Sequence, residues 1–225
     1  VFNGDARLLN SPILPEQMGY KNIPDTEYNL DTTNAQLDSL GWILNDKGER
    51  IKKNQVLELT LVTNDSPVNV KTVDTIAAEW RRAHIKVNTV SLPIRELTDK
   101  NIKPRAFDAL VFGQKMSADP DPFAFWHSSQ AKDPGLNVSG FSNTEADGLI
   151  TEARSTVIQD IRQDRYERFL EIVDEERPAV FLNQGVLVYP ITPDIKRPEM
   201  SGIYDSSLRF NQVSKWYIKE KRVLK

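Results

Sequence analysis

Three strand-like stretches, with a helical stripe between the first two, set the pattern of buried and solvated positions. Val56-Leu57-Glu58-Leu59-Thr60-Leu61-Val62 alternates, with Leu57, Leu59 and Leu61 on one face and Glu58 and Thr60 on the other. That is the period of a half-buried strand. Val73, Ile76, Ala77 and Trp80 then fall at i, i+3, i+4 and i+7, one apolar helical stripe. Ser66-Pro67 precedes it, where serine can accept from free N–H groups and proline suits the first helical position. Ile85-Lys86-Val87-Asn88-Thr89-Val90 reads as a second strand. Strand, amphipathic helix and strand with short links predict a parallel, right-handed βαβ unit. The third stretch, Phe107-Asp108-Ala109-Leu110-Val111-Phe112-Gly113, is almost uninterruptedly apolar and predicts a buried strand covered on both faces.

The other elements follow from punctuation. Thr32 or Thr33 caps a short helix through Leu40, closed by Gly41, and Asn45-Asp46-Lys47-Gly48 is turn chemistry. A short helix is expected around Ile94 to Asn101. Ser142 with Glu145 forms a capping-box pattern, opening a helix with Ala146, Leu149, Ile150, Ala153 and Val157 on one side. A further helix from about Asp160 to Glu176 buries Tyr166, Phe169, Leu170 and Val173 and stops before Pro178. Ala179 to Asn183 and Val186 to Tyr189 read as strands around Gly185, and the tail through Trp216 and Tyr217 as one more. The order of elements is that of an α/β fold with a mixed sheet flanked by helices.

Length and composition narrow the class. The 225 residues suffice for one good-sized domain, and 39% hydrophobic residues with 9 Phe, 6 Tyr and 4 Trp supply its core. No apolar run approaches the roughly 20 residues of a membrane span. A net charge of −3, with Lys and Arg scattered, argues against nucleic acid as a partner. The absence of cysteine removes disulfides, thiolate nucleophiles and thiolate metal sites. Only His84 and His127 are present, without metal-ligand spacing, so neither a metal nor a cofactor is expected. The chain begins at Val1 and reads as a piece of a longer protein.

The candidate chemistry gathers in Ser117-Ala118-Asp119-Pro120-Asp121-Pro122-Phe123-Ala124-Phe125-Trp126-His127-Ser128-Ser129, directly after the third strand. Ligands in α/β sheets lie beyond the carboxyl ends of the strands. Asp119 and Asp121 resemble the paired carboxylates of a glycosidase, but groups two residues apart seldom flank a scissile bond. Asp before Pro more often serves the turn. His127 is a conceivable base for a nucleophilic serine, yet there is no Gly-x-Ser-x-Gly elbow, no dinucleotide fingerprint and no phosphate loop. Phe123, Phe125 and Trp126 beside polar groups favour binding over catalysis. The expected ligand-facing edge comprises Gln114, Met116, Asp119, Trp126, His127 and Asn137, with Trp126 stacking and Gln114 and Asn137 giving directional hydrogen bonds. A hydrolase using Asp119, Asp121 or His127 and a pure protein-interaction domain are the alternatives.

Several blocks, in order, resemble the C-terminal lobe of the peptide/nickel-type (family 5) extracellular solute-binding proteins of bacterial ABC importers. They are Asn34-Ala35-Gln36-Leu37-Asp38-Ser39-Leu40-Gly41-Trp42, Phe107-Asp108, Asp119-Pro120-Asp121, and Trp126-His127-Ser128-Ser129. Asn137-Val138-Ser139-Gly140-Phe141-Ser142-Asn143, Asp147-Gly148-Leu149-Ile150-Thr151-Glu152-Ala153, Arg165-Tyr166 and Glu175-Glu176-Arg177-Pro178 continue the likeness. The resemblance implies a non-enzymatic, type II periplasmic-binding-protein-like lobe spanning residues 1–225. Residues 1–30 would be an extended lead-in, and 205–225 a tail returning toward a missing N-terminal lobe. It further implies a small-molecule or peptide ligand, ABC permease subunits as partners, and a periplasmic or extracellular location with membrane association through the parent's N-terminus or the permease. Where peptide-binding members carry the Asp that holds a peptide's amino terminus, this chain has Met116. That departure leaves room for oligosaccharides or other solutes.

Overall fold

The computed structural model describes residues 1–2, 4, 6–24, 26–115, 117, 119–186, 188–199 and 206–218. In chain order the elements are β1 (Ala6–Leu8), α1 (Leu30–Ser39), β2 (Ile43–Leu44), β3 (Arg50–Lys52), β4 (Gln55–Val56), β5 (Glu58–Asn64), α2 (Pro67–Arg82), β6 (Lys86–Leu92) and α3 (Ile94–Leu97). There follow β7 (Ala109–Leu110), α4 (Phe123–Trp126), α5 (Thr144–Ser155), α6 (Gln159–Glu176), β8 (Asn183–Gly185), β9 (Ile195–Lys196) and β10 (Tyr217–Ile218). The chain is α/β, as its pattern predicts. Parallel and antiparallel pairings occupy separate small sheets. The chain divides into two compact units.

The first unit comprises Val1–Asn3, Asp25–Gln114 and Lys132–Val138. Its centre is the predicted βαβ: β5 pairs in parallel with β6, from Glu58 opposite Lys86 to Asn64 opposite Leu92, and α2 makes the crossover. Leu61, Val73, Ala77 and Val87 form its core, with Ile76 and Trp80 packed against them. Pro67 takes the first helical position as expected, but Ser66 makes no side-chain cap. Asn64 does the local work instead, its Oδ1 accepting from Ser66 N and Asn69 Nδ2. The third strand is much shorter than its apolar run implies. Only Ala109 and Leu110 pair with β5, opposite Leu61 and Val62, and Phe112 beyond them is exposed. Asn29, not Thr32 or Thr33, caps α1 by accepting from Thr32 N, and Gly41 closes it at φ +85.

A buried arginine ties this unit together. Arg50 is 1% exposed. Its Nε donates to Ala83 O (2.8 Å), one terminal nitrogen to Trp42 O (2.6 Å) and Asp38 Oδ1 (2.7 Å), and the other to Asn34 Oδ1 (2.8 Å). The guanidinium thus joins α1, the turn after it, β3 and the end of α2.

The second unit comprises Gly4–Pro24, Lys115–Ala131 and Ser139–Lys225. Its core is the α5–α6 pair with Ile13, Ile23, Trp126 and Phe141. Asn143, one residue after the predicted Ser142, caps α5 by accepting from Ala146 N. Val157, expected on the apolar side of that helix, lies beyond its end and is 95% exposed. Helix α6 buries Tyr166, Phe169, Leu170, Ile172 and Val173 and ends at Arg177 in the left-handed region. Arg168–Glu145 (2.8 Å) and Arg165–Glu152 (2.5 Å) ion pairs bridge α6 to α5. The lead-in is more than a tether: Ser11, Ile13, Leu14 and Gln17 are buried, and β1 pairs antiparallel with β8. The strands expected over 179–183 and 186–189 reduce to β8, Leu187 lying outside the described residues. The expected tail strand is β10, paired with β9, while residues 205 and 219–225 lie outside the described residues. Among the described residues no helix is long and apolar enough to cross a membrane.

Candidate functional site

In the second unit, the Asp-Pro-Asp-Pro loop is clamped from three sides. Gln17, itself buried, donates from Nε2 to Ser117 O (2.7 Å). Arg162 of α6 pairs with Asp119 Oδ1 (2.6 Å) through one terminal nitrogen, which also donates to Tyr166 Oη (3.2 Å). Arg154 of α5 pairs with Asp121 Oδ2 through Nε (2.9 Å). Asp121 Oδ1 meanwhile accepts from Phe123 N (3.0 Å), the turn role anticipated for an Asp before Pro, and so starts α4. The Arg154 guanidinium lies over the Phe123 ring at 4.2 Å, a cation–π contact. Arg162 is held above its ordinary value, first by its hydrogen bond to Tyr166 and then by Asp119. Burial pushes the Tyr166 phenol up, partly offset by Arg162. Asp119, Asp121, Arg154 and Arg162 border a cleft of about 360 Å³ that Met18, Thr156, Val157 and Gln159 complete.

Each expected edge residue has a definite place, with one exception. Trp126, expected to stack on ligand, is only 5% exposed. Its ring meets Phe141, Phe169 and Phe181 at centroid distances of 6.1, 6.2 and 5.8 Å, so its apolar face is spent inside the core. His127 is half-buried against Phe123 (4.3 Å). Its Nδ1 accepts from Ser129 N (3.1 Å) and lies 3.7 Å from Asp147 Oδ1. Asp119 is open, its side chain 61% exposed. Gln114, exposed, and Asn137, fully buried, belong to the first unit. Met116 lies outside the described residues. Arg154, Arg162 and Gln17 are the residues that motif reading missed. Charge balance was the available signal, because a loop with two carboxylates calls for cations nearby.

This geometry does not build a hydrolase. Both carboxylates of the loop are engaged by arginines, which commits them to holding the loop. Ser128 Oγ donates to Asp147 Oδ2 rather than to His127, so nucleophile and base are not paired. Among the described residues no group of His, Asp or Glu is arranged to hold a metal ion.

A parallel βαβ unit, an α5–α6 core and a clamped loop after a strand define an α/β binding module. Residues 1–135 match the sequence profile of the bacterial extracellular solute-binding proteins, family 5 (middle), and the chain belongs to that family. It is 29% identical over 188 residues to the oligopeptide-binding protein AppA of Bacillus subtilis (strain 168), covering 81% of this chain and 34% of that one. The solved structure of AppA from Bacillus subtilis with a nonapeptide superposes at a TM-score of 0.76, with 26% identity, over 97% of this chain and 44% of the other. NikZ of Campylobacter jejuni, solved with Ni(L-His), shares the fold at a TM-score of 0.74 and 20% identity, over 96% and 44% of the two chains. The chain therefore spans about a third of the length of its oligopeptide-binding relative. The family consists of extracellular binding proteins, not enzymes.

Proposed function

We propose that this chain is the ligand-binding lobe of an extracytoplasmic solute-binding protein that delivers peptides or similar solutes to an ABC importer. One observation carries the reading: nearly the whole chain superposes on a protein solved with a nonapeptide, within a family whose profile covers residues 1–135. The partners this implies are the remaining lobe of the parent, which closes over the ligand, and permease subunits at the membrane. Asp119 and His127 of the second unit and, separately, Gln114 of the first are the accessible polar candidates for ligand contact, whereas Asn137 is buried and Trp126 supports the second unit from its core. Asp119, tethered on one oxygen by Arg162, keeps its other oxygen for a ligand donor. Met116 in place of an ammonium-binding Asp favours ligands whose amino end is recognised weakly or not at all. Relatives solved with nickel complexes make a metal chelate the second reading.

The test is a thermal-shift screen of the intact parent against a nonapeptide, shorter peptides, oligosaccharides and the Ni(L-His) complex. A ligand present at a hundred times its Kd raises stability by about 2.7 kcal/mol. His127→Ala and Gln114→Ala should each weaken the hit by roughly tenfold, about 1.4 kcal/mol. If no member of any class shifts the transition, the transport reading falls.

A further inference from the structure

The charges around the second unit's cleft come as two opposite pairs, and each pair is only half used. Arg162 makes both its bonds through one terminal nitrogen. Its Nε is buried without a partner, and its other terminal nitrogen has none among the described residues. Arg154 approaches Asp121 most closely through Nε, and among the described residues its terminal nitrogens make no hydrogen bond, on a side chain 46% exposed. A guanidinium carries five N–H donors, so each arginine retains capacity for a carboxylate. Asp119 likewise has one oxygen without a hydrogen-bond partner among the described residues. The frame is braced by these contacts: Gln17 holds the loop backbone at Ser117, Phe123 lies under the Arg154 guanidinium, and Pro120 is buried.

We propose that this cleft binds a small amino-acid-like zwitterion, its carboxylate taken by the unspent N–H groups of Arg154 and Arg162 and its ammonium by Asp119. The charge count selects this class. A bare anion would face both aspartates and a bare cation both arginines, whereas a zwitterion adds no net charge to a neutral set. A cleft of about 360 Å³ lies at the small end of ligand pockets, the scale of an amino acid or a dipeptide. Met18 and Val157 give one apolar wall for an aliphatic side chain. Because the cleft lies wholly within one unit, the 225-residue chain itself must bind, whatever the parent transports.

The experiment titrates the ¹⁵N-labelled full chain with leucine, N-acetylleucine, leucinamide and acetate, following amide shifts. Leucine should move Val157, Gln159 and Arg162, and both singly charged derivatives should bind at least about tenfold more weakly. Arg154→Gln should weaken leucine by about tenfold. Val157→Trp, at a fully exposed position, should obstruct the mouth without touching either ion pair and keeps the test open if the arginine variant misfolds. Acetate or N-acetylleucine binding as well as leucine would make this an anion site and overturn the proposal, as would leucinamide matching leucine or leucine causing no shifts. None of those outcomes bears on whether the intact parent binds a transported solute.

Discussion

Removing Arg50 should loosen the first unit while leaving the second intact. Arg50→Ala takes the donors away from Trp42 O and Ala83 O, two backbone acceptors served by the guanidinium, and from Asn34 Oδ1. Each buried acceptor left without a partner costs about 1–3 kcal/mol. The emptied volume adds to this, while relief from burying a charge offsets part of it. The net expectation is about 3–5 kcal/mol. Arg50→Met refills the space but not the bonds and should cost about 2–4 kcal/mol. Arg50→Lys keeps the charge, but a single ammonium cannot span acceptors on three sides and should fall between wild type and Met. Asp38 is 58% exposed, so water replaces it and Asp38→Ala should cost only about 1 kcal/mol. With two units, a single melting curve is ambiguous, and native-state hydrogen exchange is the better assay. At 1.4 kcal/mol per decade, Arg50→Ala should lower protection in α2 and β5 by about two to three and a half orders of magnitude and leave α6 unchanged. If protection in α2 changes less than tenfold, or Asp38→Ala does more harm than Arg50→Ala, the bonding account of this arginine is wrong.

Trp126→Ala should behave as a core truncation, costing about 3–5 kcal/mol in the second unit by denaturant unfolding; a near-neutral result would return the ring to the surface. Gly19 sits at φ +77, and a Cβ there would lie 2.4 Å from the Tyr166 Cβ, so Gly19→Ala should cost roughly 2 kcal/mol or more, read as a lower unfolding midpoint. Burial raises the Tyr166 phenol above its ordinary value of 10.0. A group whose folded pKa is raised contributes stability that is complete below the unfolded value and lost as pH rises through the folded one. Stability of the second unit should therefore decline above about pH 10, and Tyr166→Phe should flatten that decline in urea titrations. Asn143→Ala removes the cap of α5 and should cost about 1 kcal/mol, whereas Ser142→Ala should be nearly silent.

What could be read from the chain was whatever periodicity and local punctuation determine. The βαβ crossover was legible because Val73, Ile76, Ala77 and Trp80 repeat with the helix and the flanking strands alternate or run apolar. Caps slipped by one to four residues, since Asn29 and Asn143 stand near serines and threonines with the same chemistry, and only the backbone angle chooses among them. The 107–113 run promises a longer strand than forms because apolar content registers burial but not pairing, and among the described residues β7 pairs with β5 for two residues. The expectation that Trp126 meets the ligand has a related origin. An aromatic beside a loop of prolines and carboxylates looks like a lip, while its three aromatic partners come from positions 141, 169 and 181, too distant in sequence for a motif to show.

The same distance hid the two features on which the units depend. The block Asn34 to Trp42, one of those carrying the family likeness, is the socket of Arg50: Asn34, Asp38 and Trp42 all present acceptors to it. Its spacing therefore has a mechanical origin, since a helix followed by a glycine turn brings side chains four apart and a free carbonyl around one guanidinium. The Asp119–Asp121 loop is the counterpart in the second unit, two carboxylates answered by arginines from two successive helices. The pairs differ in what burial makes of them. Arg50 is sealed and nearly every donor is spent, so it can only hold the fold, whereas Arg154 and Arg162 retain unspent donors beside an open cleft and are the ones still able to meet a ligand.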